Sequence, residues 1–452
     1  MEMKQEITLR QSLTLVQVVA LGLAWMTPMI YFSVFGIAYD ASKGMITEAY
    51  SLSIVAIFFT AYSYSIMAKI FPGSGSSYTY VKKSMHPIPG FTVGWAILLD
   101  YLFSPIIACL TFGIYLNAQF PAVPAYVWII LLNIILAVVN IAGIKFSASL
   151  SKLFVLFQII FIALFCGYLM KGLSGVHDVV LPFTHMDTGL STLLAGASLI
   201  CFSFLGFDTV STLSEETINA KKTIPRAIML IILIASILYI TTSVLIQVRY
   251  PNLTFNNVDA AGFELMKLAG GAALGAIFTT VLIFAIFTQG LTSVTSVSRL
   301  MYVLGRDSIL PKKFFGALHP KYRTPVNNIV LVSVISLLAL VISLDMAVKF
   351  VSFGALTSFA FVNISVIVEC FIKRKQRSLK QTFQYLIFPL IGASFIIWLI
   401  TLLDSQALLL GCIWLIFGVT YYLFRTRKLR AMQGTPSAPI FPASAAIETE
   451  FK

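Results

Sequence analysis

Long apolar runs alternate with short segments that hold charged residues, proline or glycine along almost the whole chain. A transmembrane helix needs about 20 predominantly apolar residues, and twelve runs approach or exceed that length. The pattern therefore predicts an all-α polytopic membrane protein with twelve transmembrane helices. The predicted spans are residues 13–39, 45–70, 88–117, 123–143, 147–170, 191–213, 227–248, 263–295, 327–344, 347–371, 383–403 and 407–424.

Two of these spans are interrupted near their middle. Span one contains Gly22 to Pro28, where the proline lacks a backbone donor and clashes with the preceding turn. Span six contains Phe202 to Asp208, where a glycine and an acidic residue stand inside an apolar helix. A proline kink and a glycine packing contact would explain each break taken alone. Paired breaks at equivalent positions in two halves, however, are typical of the binding site of an inverted-repeat transporter.

The paired breaks also predict how the chain is organised. Two inverted repeats of five spans each are expected at 13–170 and 191–372, followed by two extra helices at 383–424. Residues 1–12 form a cytoplasmic N-terminal segment, and the cytoplasmic tail 425–452, which is rich in Pro, Ser and Ala toward its end, is predicted to be disordered.

Composition supports the membrane class, and the charge distribution defines its orientation. Hydrophobic residues make up 58% of the 452 residues and charged residues 11%, whereas soluble domains hold about 25% charged residues. A net charge of +13 would by itself indicate nucleic-acid binding. With the N-terminus inside, however, all but five of the 31 Lys and Arg residues lie on the cytoplasmic side, as the positive-inside rule requires. We therefore expect both termini in the cytoplasm and no nucleic-acid partner.

Asp100 in span three and Asp208 in span six are the acidic residues predicted to lie deep in the membrane. A carboxylate there costs several kcal/mol unless it faces the protein interior and has a partner. No basic residue is predicted at equal depth, so the partner would be a cationic ligand, a proton or a metal ion. The alternatives are capping of a half-helix end for Asp208 and a hydrogen-bonded interior acid for Asp100.

Aromatic residues flank the two acids along the sequence. A cluster of them at the breaks would bind a cation through the ring faces or gate the site, although ordinary packing is the simpler interpretation for any single ring. The aromatic residues concerned are Trp25, Tyr101, Phe202, Phe204 and Phe207.

Nothing in the sequence predicts a cofactor, a metal site or an enzyme. The five cysteines fall within predicted spans, and the four histidines share no ligand spacing. Hydroxyl residues in and just after span eight, at 292–296, favour hydrogen bonds between helices, with a sodium site as the alternative. No nucleophile-and-base pair or phosphate-binding loop is recognisable.

Several long segments carry a family resemblance. They are Phe71 to Met85, Gly90 to Pro105, Phe202 to Ile228, Ser298 to Pro325 and Phe353 to Val366. In these segments the chain resembles the amino acid–polyamine–organocation (APC) superfamily. Its GLA-aromatic-x-TP, LLDYLF, CFSFxGFD and HPKxRTP motifs are similar to those of the bacterial putrescine importers. The resemblance implies a LeuT-like five-plus-five inverted repeat with two extra helices, alternating access, and a place in a bacterial inner membrane.

The resemblance also implies a substrate site formed by both breaks and span three. Together with the acids and aromatics above, the predicted site residues are Trp25, Met26, Thr27, Ser33, Asp100, Tyr101, Phe202, Ser203, Phe204, Gly206, Phe207 and Asp208. Many amino-acid members bind the substrate carboxylate at a glycine-rich break, but here Met26, Thr27 and Pro28 replace it. Ser33 stands where putrescine importers carry an acid. Gln158 replaces a lysine of some proton-coupled members, which leaves Asp208 as the proton-coupling candidate.

The leading hypothesis is therefore a secondary active transporter that imports a small organic cation by alternating access. The expected substrate is putrescine or a related diamine, with the lipid bilayer and optionally a proton as the other partners. The alternative is an amino-acid permease, either a proton symporter or an exchanger, of the same superfamily. A receptor, channel or membrane enzyme is a third class, which the short loops and the lack of a catalytic cluster do not favour.

Overall fold

The computed structural model describes residues 9, 11–171, 189–255, 258, 261–403 and 405–433, and this part of the chain is helical without β-strands. One isolated parallel bridge joins Leu13 to Thr217. Most of the predicted N-terminal segment 1–12, and the tail beyond residue 433, lie outside the described residues.

Sixteen α-helices follow one another along the described part of the chain. They are α1 Leu15–Met26, α2 Ile30–Ala41, α3 Ile46–Ile70, α4 Ser76–Ser84, α5 Pro87–Gln119, α6 Ala125–Ala142, α7 Ile144–Lys171, α8 Leu190–Ile200, α9 Ala220–Arg249, α10 Ala261–Arg306, α11 Lys312–Phe315, α12 Val326–Ser336, α13 Leu344–Val366, α14 Leu379–Thr382, α15 Phe388–Thr401 and α16 Ser405–Gln433. Short 3₁₀ segments Cys201–Phe204, Thr209–Glu216 and Leu337–Leu340 join some of them, and π-helical turns Ile367–Lys373 and Phe383–Ile387 join others.

The described chain contains ten helices that are long and apolar enough to cross a membrane. The pair α1 and α2 adds an eleventh if it is counted as one span, with a bend of 44° at its break. The segment Val326–Leu340, which covers most of the predicted ninth span, is apolar but shorter. The polytopic all-helical class predicted from the sequence is thus confirmed.

Two helices extend beyond their predicted ends. α10 continues past residue 295 to Arg306, although it is kinked at Gly270 and Gly271. α16 continues past residue 424 to Gln433, so the first part of the predicted disordered tail is helical. The physical reason is that residues 424–433 contain no proline or glycine and consist mainly of good helix formers.

The buried side chains form two apolar clusters, and the first break lies between them. One cluster is built mainly from α1, α2, α3, α7, α9 and the first half of α10. The other is built mainly from α5, α6, α12 and the second half of α10. Trp25 at the end of α1 belongs to the second cluster, while its neighbours Ala24 and Met26 belong to the first. The end of α1 therefore packs against both groups of helices.

A pair of tryptophans attaches the last helix to this framework. The indole of Trp95 on α5 donates to the Trp414 carbonyl over 3.1 Å, and the indole of Trp414 donates to the Trp95 carbonyl over 2.8 Å. Their rings stack with centroids 4.9 Å apart. Both indole donors therefore find an acceptor where α16 packs against α5.

Candidate functional site

The first break interrupts the helical hydrogen bonding at Thr27, Pro28 and Met29. Thr27 has φ 55°, which is a rare conformation for a β-branched residue. Its hydroxyl donates to the Ala24 carbonyl over 3.0 Å, so the side chain caps its own helix. Backbone strain of this kind persists where the surrounding structure enforces it and is concentrated at functional sites. The predicted break in span one is therefore present, but the Thr27 hydroxyl is already engaged.

The second break lies in the segment that follows α8. The chain forms the 3₁₀ turn Cys201–Phe204, becomes extended at Leu205, and turns at Gly206, which has φ +110°. A second 3₁₀ segment, Thr209–Glu216, completes the span. Gly206 is needed here because L side chains rarely adopt this conformation.

The two breaks touch each other through Trp25. A Cβ atom placed on Gly206 would lie 1.9 Å from Cδ1 of the Trp25 indole. The Trp25 ring in turn meets the ring of Tyr101 on α5 edge to face, with centroids 5.2 Å apart. Trp25, Tyr101 and Gly206 thus bring spans one, three and six together at a single point.

We expect Gly206→Ala to reduce transport by about tenfold or more, because the methyl group would collide with Trp25 and a positive φ costs about 1–2 kcal/mol for alanine. Uptake in proteoliposomes and the melting temperature of the purified protein measure the two effects. Gly167→Ala is the matched control, since a Cβ on Gly167 in α7 meets no atom within 4 Å. If Gly206→Ala transported as fast as Gly167→Ala, the contact between the two breaks would be dispensable for transport.

Asp208 is completely buried immediately after the second break. The hydroxyl of Tyr101 donates to its Oδ2 atom over 2.7 Å. The backbone amides of Gly206 and Asp208 lie near the carboxyl group, but Oδ1 completes no hydrogen bond to any described residue. One carboxylate oxygen is thus satisfied by span three and the other is left without a partner.

Asp100 is the second buried acid, and its side chain is 2% exposed. Ser104, one turn further along α5, donates to Oδ1 of Asp100 over 3.2 Å. Gly354 on α13 packs against the same turn, since a Cβ there would lie 2.8 Å from the Asp100 amide nitrogen. Asp100 lies within electrostatic range of Asp208. In the described part of the chain neither acid forms a salt bridge with a basic side chain.

Aromatic rings line one side of Asp208. The Phe207 ring meets the rings of Tyr64 and Phe359 with centroids 5.5 Å and 5.1 Å away. The hydroxyl of Tyr64 shares a 2.9 Å hydrogen bond with Ser358 on α13. Phe207, next to Asp208 in the chain, therefore packs against both α3 and α13.

Other predicted site residues have different surroundings. Phe204 packs against Tyr239 on α9, whose hydroxyl donates to the Ser203 carbonyl. Phe202 is half-buried and lines a largely apolar cleft together with Leu205. Ser33 is half-buried on α2 and makes no hydrogen bond to a described residue. The structure thus gathers Trp25, Asp100, Tyr101, Gly206, Phe207 and Asp208 around one centre, with Met26 and Thr27 buried next to Trp25.

Sequence reasoning did not select the residues that complete the surroundings of Asp208. Tyr64 on α3 and Tyr80 on α4 both lie within electrostatic range of its carboxyl group. In the sequence, the segment FPGSGSSYTYVKKSM is recognisable only as a family motif. Its many hydroxyl residues are the signal that could have predicted a buried polar role. No three His, Cys, Asp or Glu side chains in the described ranges come together to hold a metal ion.

A set of contacts, the closure beside α1, joins the start of α1 to the segment that follows the second break. The amides of Ser12 and Leu13 donate to the Glu216 carbonyl over 2.8 Å and 2.9 Å, and the Ile218 amide donates to Leu13. The side chain of Glu216 forms a buried two-point ion pair with Arg299 on α10. Spans one, six and eight are therefore bound together beside the breaks.

The helix α4 forms part of the same closure. Tyr78 and Lys82 both bind Oδ2 of Asp307, each over 2.6 Å, at the end of α10. Ser74, just before α4, accepts from the Glu215 amide over 3.0 Å, and Glu215 pairs with Arg306. These contacts hold α4 over the segment that carries Asp208.

A family comparison identifies the class of protein that this broken-helix site defines. A family model described as "Amino acid permease" matches residues 15–431, so the chain belongs to that family. The protein is therefore a multi-pass membrane transporter of small molecules and not an enzyme. The resemblance to the APC superfamily is confirmed.

Three individual relatives are similar to this chain over most of its length. The low-affinity putrescine importer PlaP of Escherichia coli K12 is 40% identical over 434 residues, which cover 94% of this chain and 95% of that protein. The branched-chain amino acid permease BcaP of Bacillus subtilis is 28% identical over 427 residues, with 86% and 87% coverage. The methylthioribose transporter of Bacillus subtilis is 28% identical over 407 residues, with 84% and 85% coverage. The chain thus spans nearly the full length of relatives with different substrates.

Proposed function

We propose that this protein imports a small organic cation, putrescine or a related diamine, by alternating access at the two breaks. The observation that carries the proposal is the pair of buried acids, Asp100 and Asp208, for which the described chain provides no basic counter-charge. An unpaired buried carboxylate is costly, and a bound cation removes that cost. The 40% identity to PlaP over almost the whole chain supports the same substrate class.

The proposal includes a topology. Val326–Leu340 serves as the ninth of twelve spans, and the first ten spans form two inverted repeats of five. Both termini lie in the cytoplasm of a bacterial inner membrane, as the Lys and Arg distribution favours. A membrane potential contributes about 2.3 kcal/mol per charge per 100 mV, so a dication is drawn inward even without a coupled ion. Proton symport through Asp208 is then an additional option.

The first break distinguishes amines from amino acids. The Thr27 hydroxyl donates to the Ala24 carbonyl and is not available for a substrate carboxylate. An amino-acid substrate would instead depend on backbone amides at the breaks. A permease for amino acids remains the second candidate, because BcaP is also a relative and because Ser33 occupies the place of an acid in putrescine importers.

Uptake competition in proteoliposomes tests the proposal. With an inside-negative potential we expect accumulation of labelled putrescine, which excess cadaverine or agmatine blocks and excess leucine, valine or methylthioribose does not. The reverse pattern would support the amino-acid permease and refute diamine import. Unitary conductance in bilayer recordings would instead identify a channel.

A further inference from the structure

Among the buried polar atoms of the described chain that lack a hydrogen-bond partner, three belong to Asp208 and to residues of α4, the helix that packs against the Asp208 segment. They are Oδ1 of Asp208, the hydroxyl of Tyr80 and Oγ of Ser77. All three residues are completely buried, and two of them come from α4. The Ser211 hydroxyl lies near Tyr80 and the Tyr64 hydroxyl lies near Ser77, but neither completes a hydrogen bond with it. Each buried polar group without a partner costs about 1–3 kcal/mol, so three such groups in one region call for a common explanation.

Contacts between α4 and the second break bring these atoms to the same place. The hydroxyl of Ser211, three residues after Asp208, donates to the Asp208 carbonyl over 2.6 Å and shares a 2.8 Å hydrogen bond with the Ser76 hydroxyl. Ser76 begins α4 with φ 48°. The start of α4 is therefore fixed directly against the backbone that carries the acid.

Tyr64 connects the other two groups. Its ring lies 6.1 Å from the ring of Tyr80, centroid to centroid, and the Ser77 hydroxyl lies beside its phenol oxygen. Tyr80 and Tyr64 are both within electrostatic range of the Asp208 carboxyl group. Burial raises the pKa of Tyr80 far above its ordinary value, so its phenol is neutral and its oxygen can accept a hydrogen bond.

We infer that Oδ1 of Asp208, the Tyr80 hydroxyl and Oγ of Ser77 form a subsite for a primary ammonium group. This inference rests on the proposed function and specifies how one end of the substrate is recognised. An R–NH₃⁺ group has three N–H donors, and the subsite provides three oxygen acceptors. The rings of Phe207 and Tyr64 pack against each other beside this segment, and aromatic rings near a bound cation favour it further.

The subsite has a defined chemical specificity. Each methyl group added to the amine removes one N–H donor and leaves one buried oxygen without a partner. A fully methylated ammonium keeps its charge and its attraction to the aromatic rings but satisfies none of the three acceptors. We therefore expect selection against N-methylated amines, which an acid and aromatic rings alone would not produce.

Inhibition constants for putrescine and for its analogue methylated on both nitrogens test the subsite in the full-length protein. Both ends must be methylated because a diamine methylated at one end can present the other. We expect the wild type to prefer putrescine by about tenfold or more, the effect of one or two lost hydrogen bonds to a charged group. In Tyr80→Phe and in Ser77→Ala, putrescine should bind about tenfold more weakly while the methylated analogue binds unchanged, so that the preference for putrescine falls by about tenfold in each variant.

Matched controls separate this effect from a general loss of hydroxyl groups. Tyr50 is also completely buried, but it packs against Tyr31 and its phenol lies near Ser203 instead of Asp208. Ser84 is a buried serine at the far end of α4. Tyr50→Phe and Ser84→Ala should keep the preference for the unmethylated amine.

The ratio of the two constants is measured within one variant, so it does not depend on the amount of folded protein. An unchanged ratio in both Tyr80→Phe and Ser77→Ala would overturn the inference and leave the three atoms as partners of a buried water. If the wild type transports amino acids and not diamines, the proposed function fails. The same comparison with N-methyl amino acids then decides on the subsite separately.

Discussion

Asp208→Asn should reduce the accumulation of labelled putrescine by about 100-fold, which makes it one of the two largest effects expected in this protein. Asparagine is isosteric with aspartate and can still accept the hydrogen bond from Tyr101, so the local geometry is retained. The negative charge is lost, and with it the counter-charge of a buried cation. Removing one partner of a buried, hydrogen-bonded charge pair costs about 2–5 kcal/mol.

Initial uptake rates and equilibrium binding of putrescine are the measurements for Asp208→Asn. Asp40→Asn is the control, because Asp40 is exposed at the end of α2 and lies outside the site. Tyr101→Phe should have a smaller effect of about tenfold, since it removes one hydrogen bond to a charged group and leaves the charge itself. Unchanged uptake by Asp208→Asn would show that the carboxylate only holds Tyr101 against the second break.

The other large effect concerns stability and the ion pair between Arg299 and Glu216. The guanidinium binds both carboxylate oxygens, over 2.5 Å and 3.1 Å, and the two side chains are 1% and 2% exposed. Arg299→Met would leave Glu216 buried without its cation, which costs about 3–5 kcal/mol. We therefore expect a clear fall in the melting temperature of the purified transporter.

A double variant distinguishes the ion pair from simple packing. Arg299→Met combined with Glu216→Leu removes both charges and should regain most of the lost stability, because apolar replacements of buried pairs are often neutral. Arg306→Gln is the control, since its pair with Glu215 is partly exposed and exposed pairs contribute at most about 1 kcal/mol. A double variant as unstable as Arg299→Met would contradict this account.

The centre of the site was accessible from the sequence because its determinants are local. Pro28 and Gly206 break helices through their own backbone chemistry, and an acid such as Asp208 inside an apolar run is conspicuous without any tertiary information. The sequence could also place Tyr101 in the site, although it could not show that the phenol binds the acid.

The rest of the candidate site depends on contacts between segments that are distant in the sequence. Tyr80 and Ser77 reach the site only because α4, in the connection between spans two and three, packs back against the second break. The predicted end of span eight was too early for a similar reason. Arg299 resembles a residue of an aqueous loop, but its ion pair with Glu216 allows the helix to continue through it in the buried interior.

The closure beside α1 also has a consequence for ion leakage. In an energised membrane, an open polar path to Asp208 would dissipate ion gradients whenever substrate is absent. The hydrogen bonds that connect Ser12 and Leu13 with Glu216 and Ile218 join neutral backbone groups. The nearby ion pair between Arg299 and Glu216 is buried. Salt screens exposed charges but affects such contacts little. We therefore expect the contacts beside α1 to hold across a wide range of ionic strength, whereas the partly exposed pairs of Lys82 with Asp307 and of Arg306 with Glu215 should weaken as salt rises.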